Sequence, residues 1–111
     1  MIRLVARLGI AARRIENLRG VWVGNEKIAA LGVHLSRWVS KHGLALNVNT
    51  DLSLFGFINP CGTGRQATSM AKILGRELPM EEMESGMLQA FAEVFNLSFR
   101  QDPLPLLESY R

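Results

Sequence analysis

The feature that most restricts the fold is a Gly-Asn turn signal between two apolar arms. Residues 21–23 read Val-Trp-Val, residues 27–33 read Lys-Ile-Ala-Ala-Leu-Gly-Val, and a Gly-Asn-Glu segment separates them. β-Branched and aromatic residues on both sides of such a turn are typical of a β-hairpin. We therefore predict an antiparallel strand pair, and a two-residue period extends the second arm through Trp38.

A second stretch with strand character follows Gly43, where we expect the first strand to break. Residues 44–49 alternate leucine or valine with alanine or asparagine. Because side chains of a strand alternate between its two faces, Asn47 and Asn49 are predicted to share one polar face.

Two helices are predicted in the second half of the chain. Thr68 or Ser69 suits the N-cap of a short helix that runs to about Leu74, and Gly75 ends it. Pro79 suits the first turn of a longer helix with glutamates near its N-terminus. The apolar residues of this helix recur at three- and four-residue steps, and we interpret them as core rather than as a ligand-binding stripe. They are Met80, Met83, Met87, Leu88, Phe91 and Phe95.

Three shorter elements complete the predicted order. Residues 2–8 resemble the end of an amphipathic helix, with Ile2, Val5, Ala6 and Leu8 on one side, so we expect the chain to be a fragment. Thr50 and Asp51 suit the cap of a short turn or helix through Leu54, and residues 96–100 suit a last short strand.

Composition favours one globular unit over several. The chain has 111 residues, of which 48% are hydrophobic, so we predict a single domain over residues 1–102 and a loose tail over 103–111. Residues 1–43 contain eight Lys or Arg and two acids, whereas residues 44–111 contain five and eight. The basic half suits a solvated face, or a surface for phosphate or an acidic protein. Neither a nucleic-acid module nor a membrane-spanning stretch is indicated.

The single cysteine, Cys61, lies in a Pro-Cys-Gly segment with loop character. It excludes an internal disulfide and favours a cytoplasmic setting. It can be a buried small hydrophobe, or a reactive thiolate that needs a nearby cation or base, because a free thiol of pKa ~8.5 is mostly protonated at neutral pH. Candidate partners are Lys27, His34, Lys41 and His42, although Lys27 also suits a solvated strand end. One cysteine and two histidines match no closed zinc site.

Three ordered segments carry a resemblance to a known family. Residues 20–33 read Gly-Val-Trp-Val-Gly-Asn-Glu-Lys-Ile-Ala-Ala-Leu-Gly-Val and residues 42–52 read His-Gly-Leu-Ala-Leu-Asn-Val-Asn-Thr-Asp-Leu. Residues 60–62 and 68–70 add Pro-Cys-Gly and Thr-Ser-Met. Over about residues 1–100, this pattern resembles the lipoyl(octanoyl)transferases. The resemblance implies an α+β fold, with a mainly antiparallel sheet and helices packed on one face, as in the later part of the biotin and lipoate-protein ligase core.

The resemblance also implies an activity, namely octanoyl transfer from octanoyl-acyl carrier protein to a lysine of a lipoyl domain. Recipients would be the lipoyl domains of 2-oxoacid dehydrogenases and the glycine cleavage H protein, and no cofactor would be needed. By motif, Cys61 would be the acyl-thioester nucleophile. Lys27 would lower the pKa of that cysteine and later take a proton from the attacking amine. The backbone segments that would line the acyl pocket contain Ala30, Leu31, Gly32, Gly43, Leu44 and Ala45.

The sequence departs from the family pattern in several places. Ala30 stands where the family often has serine, and the segment between Cys61 and Thr68 is about one residue short. The Arg-Gly-Gly and His-Gly-Pro-Gly segments of the family's N-terminal half are not found in these 111 residues, so we expect a partial catalytic domain. Two alternatives stay open. One is an ATP-dependent lipoate- or biotin-protein ligase relative, and the other is a non-catalytic domain that binds an acidic carrier protein.

Overall fold

Four consecutive strands form one antiparallel sheet in a computed structural model that describes residues 1–57 and 65–100. The predicted tail over 103–111 lies outside the described residues. In chain order the elements are α1 (Ile2–Arg7), β1 (Arg13–Ile15), β2 (Leu18–Val23), β3 (Glu26–Ser36), β4 (Val39–Leu46), a 3-10 helix (Ser53–Phe57), α2 (Met70–Leu74) and α3 (Met80–Phe95).

The predicted hairpin is present as β2 and β3. Val23 lies opposite Glu26, so Gly24 and Asn25 are the two turn residues between the strands. Gly24 has a φ of +57°, a conformation that glycine adopts without a steric penalty. The Gly-Asn signal therefore located the turn correctly.

A β-bulge in β3 changes which residues of the strand project to each face of the sheet. Trp22 pairs with Lys27 and its neighbour Val21 pairs with Ala29, so Ile28 is an extra residue on β3. Directly opposed residues of an antiparallel pair project to the same face. Trp22 and Lys27 therefore share one face, while Val21 and Ala29 belong to the other, where the core lies.

The second hairpin, β3–β4, differs from the sequence prediction. The second arm of the predicted hairpin, β3, ends at Ser36 and does not continue through Trp38. Arg37 and Trp38 instead form the turn, with φ values of +51° and +65°. Gly43 does not break a strand but lies within β4, opposite Gly32. Sequence reasoning expects Gly, Asn or Asp at turn positions with positive φ, and it treats a strand glycine as a breaker. Both expectations were wrong here.

The short helix α2 has the predicted boundaries. Its N-cap is Ser69, whose Oγ accepts a hydrogen bond from the N–H of Lys72 at 3.1 Å. Gly75 follows the helix in the left-handed conformation, with a φ of +70°. Side-chain capping at one end and glycine at the other are the signals that the sequence carried.

The long helix α3 also begins and ends close to its predicted limits. Pro79 is its N-cap residue, and Asn96 ends it in the left-handed conformation with a φ of +53°. The N–H of Leu97 then donates to the carbonyl of Ala92 at 3.0 Å. The strand predicted over 96–100 is absent, because the chain closes onto the helix end instead of pairing with the sheet.

One apolar core joins α1, the sheet, α2 and α3, which confirms the predicted α+β fold. Of the predicted α1 face, Val5 is buried, but Leu4 is buried where Ala6 was expected. The interpretation of the α3 stripe as core is wrong for four residues: Met80, Leu88, Phe91 and Phe95 are exposed. The core residues are Val5, Ile10, Val21, Ile28, Ala29, Val48, Met70, Leu78 and Met83.

Two asparagines after β4 connect the sheet to the helical half. Strand β4 ends at Leu46, earlier than predicted. The side chain of Asn47 donates to the carbonyl of Thr68 at 3.0 Å. The amide of Asn49 donates to the carbonyl of Leu78 at 2.8 Å and accepts from its N–H at 2.9 Å. The polar face predicted for these residues therefore binds backbone of the protein itself.

The predicted cap after β4 is present in part. The carboxylate of Asp51 accepts a hydrogen bond from the N–H of Ser53 at 2.9 Å, and this bond lowers the pKa of the carboxyl group. The helical turn that follows is the 3-10 helix Ser53–Phe57.

None of the helices in the described part of the chain is both long and apolar enough to cross a bilayer.

Candidate functional site

The backbone of Lys27 is fixed by chain segments on both of its sides. In β3 it lies opposite Trp22 of β2. On the other side it forms a parallel bridge with Ala67, in which its N–H donates to the carbonyl of Gln66 at 2.9 Å. The N–H of Thr68 donates to the carbonyl of Lys27 at 2.8 Å. Lys27 is therefore an anchored residue rather than the solvated strand end that spacing alone would favour.

The structure brings Lys27 next to the chain that follows the Pro-Cys-Gly motif. Cys61 itself lies outside the described residues, which resume at Arg65. The segment 66–68, which follows the cysteine by five to seven positions, is the one that is hydrogen bonded to Lys27. Sequence analysis named Lys27 as a candidate partner of Cys61, but it did not predict the hydrogen bonds between Lys27 and segment 66–68.

The side chain of Lys27 packs against an aromatic ring. Its Nζ lies 5.1 Å from the ring centroid of Trp22, and the guanidinium carbon of Arg65 lies 5.4 Å from the same centroid. Both distances fall within the range of a cation–π interaction. Trp22 is only 2% exposed, so both cations lie against a ring that is shielded from solvent.

A glycine provides the space for the lysine side chain. Gly20 has a φ of +105°, and a Cβ added to it would lie 3.1 Å from Cε of Lys27 and 2.5 Å from the carbonyl oxygen of Ala29. Only glycine tolerates this approach. Sequence reasoning missed Gly20, Trp22 and Arg65. The cross-strand pairing of Trp22 with Lys27 could not be derived from the Gly-Asn turn alone, because the bulge shifts the register beyond it.

The two segments predicted to line an acyl pocket are cross-strand partners. Ala30 pairs with Ala45, Leu31 with Leu44, and Gly32 with Gly43. Side chains of a strand alternate between its two faces. We call the face with Trp22 and Lys27 the Lys27 face, and the face with Val21 and Ala29 the core face. The leucines belong to the core face. On the Lys27 face are the smallest residues, namely Ala30, Gly32, Gly43 and Ala45.

The other candidate bases lie elsewhere. His42 is paired with Val33 and lines a groove against α3, on the face opposite Lys27. His34 and Lys41 are paired with each other near the end of the β3–β4 hairpin. With about 3.3 Å per strand residue, they are on the order of 20 Å from Lys27 along the sheet. Of the four predicted partners for the cysteine, Lys27 is the one beside segment 66–68.

The groove against α3 has a volume of about 450 Å³ and is mainly apolar. It lies between the outer part of the β3–β4 hairpin and the second half of α3. Its apolar walls include Leu31, Val33, Leu44, Phe91, Val94 and Phe95.

Within the described ranges, no group of three or more His, Cys, Asp and Glu side chains is arranged to hold a metal ion.

Comparison with known proteins supports the motif-based resemblance. Residues 1–92 match the sequence profile of the lipoyl protein ligase A/B catalytic domain. The chain is 47% identical over 107 residues to the octanoyltransferase of Caldanaerobacter subterraneus subsp. tengcongensis, a match that covers 96% of this chain and 47% of that protein. It is 54% identical over 88 residues to the octanoyltransferase of Solibacter usitatus, covering 79% of this chain and 40% of that protein.

A third relative has the same character. The octanoyltransferase of Thermoanaerobacter pseudethanolicus is 46% identical over 108 residues, with 96% of this chain and 47% of that protein covered. The chain thus spans about half the length, or less, of the curated relatives it matches. With most of its length matched to one catalytic-domain profile, the chain belongs to the lipoyl protein ligase A/B catalytic-domain family.

Proposed function

We propose that this chain contributes Lys27 and Cys61 to an octanoyl-transfer site of protein lipoylation. The donor would be octanoyl-acyl carrier protein. The acceptors would be lysines on the lipoyl domains of 2-oxoacid dehydrogenases and on the glycine cleavage H protein, in the cytoplasm. The observation that carries the proposal is the hydrogen bonding of Lys27 to segment 66–68, directly after the Pro-Cys-Gly motif. The names of the relatives support the type of acyl group.

The proposed chemistry has two acyl exchanges. The thiolate of Cys61 attacks the thioester carbonyl of the donor, and a new thioester forms on the cysteine. The carrier sulfur leaves as a thiol with the proton that the Lys27 ammonium gives up, which leaves Lys27 as a neutral amine. The amine of the recipient lysine then attacks the Cys61 thioester, an amide forms, and the cysteine thiolate is released. Lys27 as an ammonium favours the thiolate, and as a neutral amine it can accept the proton that the attacking amine loses.

The sheet face around Lys27 suits a flat acyl thioester. A Cβ added to Gly32 or Gly43 would meet no atom within 4 Å, so neither glycine is enclosed by a neighbouring segment. Together with Ala30 and Ala45, these glycines give a surface of low relief on the same face as Lys27. Small residues let a substrate approach the main chain closely, and backbone N–H groups left open by strand pairing can bind its oxyanion.

Intact-mass analysis after incubation with octanoyl-acyl carrier protein tests this proposal. We expect a gain of one octanoyl group on the natural chain, none on Cys61→Ser, and a slower gain on Lys27→Met. Lys41→Met is the matched control, because it removes a lysine near the far end of the hairpin and should leave the rate unchanged. An adduct that persists on Cys61→Ser would contradict the proposal. A folded chain that gains no octanoyl group would mean that these residues are not a working site by themselves and that catalysis depends on the part of the relatives that this chain does not cover.

The ligase alternative is tested in the same reaction. The family profile includes lipoyl protein ligase A, so free octanoate with ATP replaces the carrier-bound donor in a parallel incubation. Acyl transfer that needs ATP and proceeds on Cys61→Ser would favour a ligase. Transfer from the carrier thioester without ATP favours the octanoyltransferase.

A further inference from the structure

We propose that Trp22 is a positioning residue for Lys27, holding the lysine ammonium at a fixed place above the sheet by contact with its indole face. The functional value of this contact rests on the proposed acyl transfer, but the contact itself does not. Trp22 carries none of the reacting atoms. It acts on the reaction through Lys27.

The first argument is the geometry of the side chains. A lysine has four rotatable side-chain bonds, and fixing its ammonium in one place costs conformational entropy. On one side the Nζ of Lys27 lies 5.1 Å from the ring centroid of Trp22. On another side Cε of Lys27 lies against Gly20, only 3.1 Å from the position that a Cβ of residue 20 would occupy. The lysine is thus confined between an aromatic ring and a glycine.

The second argument is the polar atom of the ring. The indole Nε1 of Trp22 is buried and has no hydrogen-bond partner among the described residues. A buried N–H without a partner is unfavourable, and phenylalanine would avoid it. Tryptophan has the aromatic face that binds cations most strongly. An indole with an unpartnered N–H at this position is accounted for if its face, rather than its N–H, is the functional part.

The third argument is the second cation on the same ring. The guanidinium carbon of Arg65 lies 5.4 Å from the Trp22 centroid, and Arg65 begins the described chain that follows the Pro-Cys-Gly motif. One indole therefore contacts both Lys27 and the residue that directly precedes segment 66–68. Two positive charges collected around one buried ring create a local environment that favours an anion such as a thiolate or an oxyanion.

A direct test observes the lysine itself. The chain has three lysines, Lys27, Lys41 and Lys72, so protein labelled with ¹³C at the lysine ε position gives three resonances. We expect the Lys27 resonance, assigned by its loss in Lys27→Arg, to be displaced upfield by the ring current. It should return to the position of the other two in Trp22→Leu and stay partly displaced in Trp22→Phe. An undisplaced Lys27 resonance in the natural chain would overturn the proposal, even if Trp22→Leu failed to fold.

A second test follows the consequence for Cys61 without any acyl donor. The rate of alkylation of the cysteine by iodoacetamide at neutral pH is compared in a double-mutant cycle of Trp22→Leu and Lys27→Met. We expect Lys27→Met to slow alkylation roughly tenfold, the change that one pKa unit brings. Trp22→Leu should slow it several-fold when Lys27 is present and have no effect when Lys27 is replaced.

The outcomes of the two tests separate this inference from the proposed function. If Trp22→Leu slows alkylation equally with and without Lys27, Trp22 has a general structural role and the positioning proposal is wrong. If Lys27→Met leaves alkylation unchanged while the ring-current displacement is present, Trp22 positions the lysine but the proposed role of Lys27 toward Cys61 is wrong.

Discussion

Gly20 of β2 and Lys27 of β3 approach each other so closely that a Cβ on the glycine would lie 3.1 Å from Cε of the lysine. The same Cβ would lie 2.5 Å from the carbonyl oxygen of Ala29, a rigid backbone atom. The lysine can move aside, but the carbonyl cannot do so without distorting the sheet. The identity of residue 20 is therefore coupled both to the stability of the hairpin and to the position of the lysine.

Gly20→Ala is expected to lower the free energy of unfolding by about 2 to 4 kcal/mol, because overpacking adds to an unfavourable φ. Urea denaturation monitored by circular dichroism measures the change. Two glycines provide graded controls. Gly24→Ala has a positive φ but open space and should cost about 1 kcal/mol, and Gly32→Ala has neither problem and should stay within about 0.5 kcal/mol. Equal effects at Gly20 and Gly32 would contradict the close approach.

Ser69→Ala is expected to destabilise the protein by about 1 kcal/mol. The Oγ of Ser69 caps α2 by accepting from the N–H of Lys72, and alanine leaves that donor without its partner. Thermal or urea unfolding measures the loss. Ser69→Thr keeps a hydroxyl acceptor at the cap and should recover part of the stability. A Ser69→Ala protein as stable as the parent would show that the cap is dispensable.

Thr68→Val is expected to behave in the opposite way, although the residue is adjacent. The hydroxyl of Thr68 is buried and has no hydrogen-bond partner among the described residues, so an isosteric methyl group removes an unfavourable buried polar atom. Unfolding should be unchanged or require up to about 1 kcal/mol more free energy. Thr68→Ser is the control, since it keeps the hydroxyl and loses the methyl. A clear destabilisation by valine would mean that the hydroxyl is used.

The turn between β3 and β4 should accept a stabilising double substitution. Arg37 and Trp38 both have a positive φ, which is unfavourable for residues other than glycine, asparagine and aspartate. Arg37→Asn combined with Trp38→Gly is expected to raise the free energy of unfolding by about 1 kcal/mol. Ser40→Gly, two residues further in β4, should lower it by about the same amount. Destabilisation by the double substitution would argue against this turn geometry.

The exposed apolar side chains in this turn and just before it should promote association without contributing to stability. Leu35 is 70% exposed and Trp38 is fully exposed. Replacing both by serine should change the free energy of unfolding by less than about 0.5 kcal/mol, yet reduce binding of the dye anilinonaphthalene sulfonate and concentration-dependent association. Replacing the buried Val5 by serine is the contrasting control, because it should destabilise the core. An unchanged dye signal would mean that Leu35 and Trp38 do not form the surface that binds the dye.

Local signals in the sequence were sufficient for several elements. The Gly-Asn pair located the β2–β3 turn, and Ser69 and Gly75 delimited α2, because each of these residues acts on its own backbone neighbours. Asn96, by contrast, ended α3 in a left-handed conformation that an asparagine permits but does not require. The strand predicted after it therefore did not form.

The candidate site was only partly predictable for a different reason. Lys27 and the paired segments around Ala30 and Ala45 were named from motif resemblance, and the pairing of those segments required the β3–β4 register. The contacts of Trp22 and Gly20 with Lys27 depend on an irregular register that the residue pattern does not reveal. Contacts between distant segments, such as that of Lys27 with Gln66, arise from the assembled fold rather than from any local preference.

The single extra residue of the bulge, Ile28, reverses the alternation by which residues of β3 project to the two faces of the sheet. Before Ile28, Lys27 is the residue of β3 that projects to the same face as Trp22, and after Ile28 the even-numbered residues do so. Removing one residue there would keep the strand and its hydrogen bonds but would exchange the lysine's surroundings with those of the core for every position on one side of the deletion. The bulge thus sets which residues of β3 share a face with Lys27, and an insertion or deletion at this point should be far more harmful than one at the exposed end of the β3–β4 hairpin.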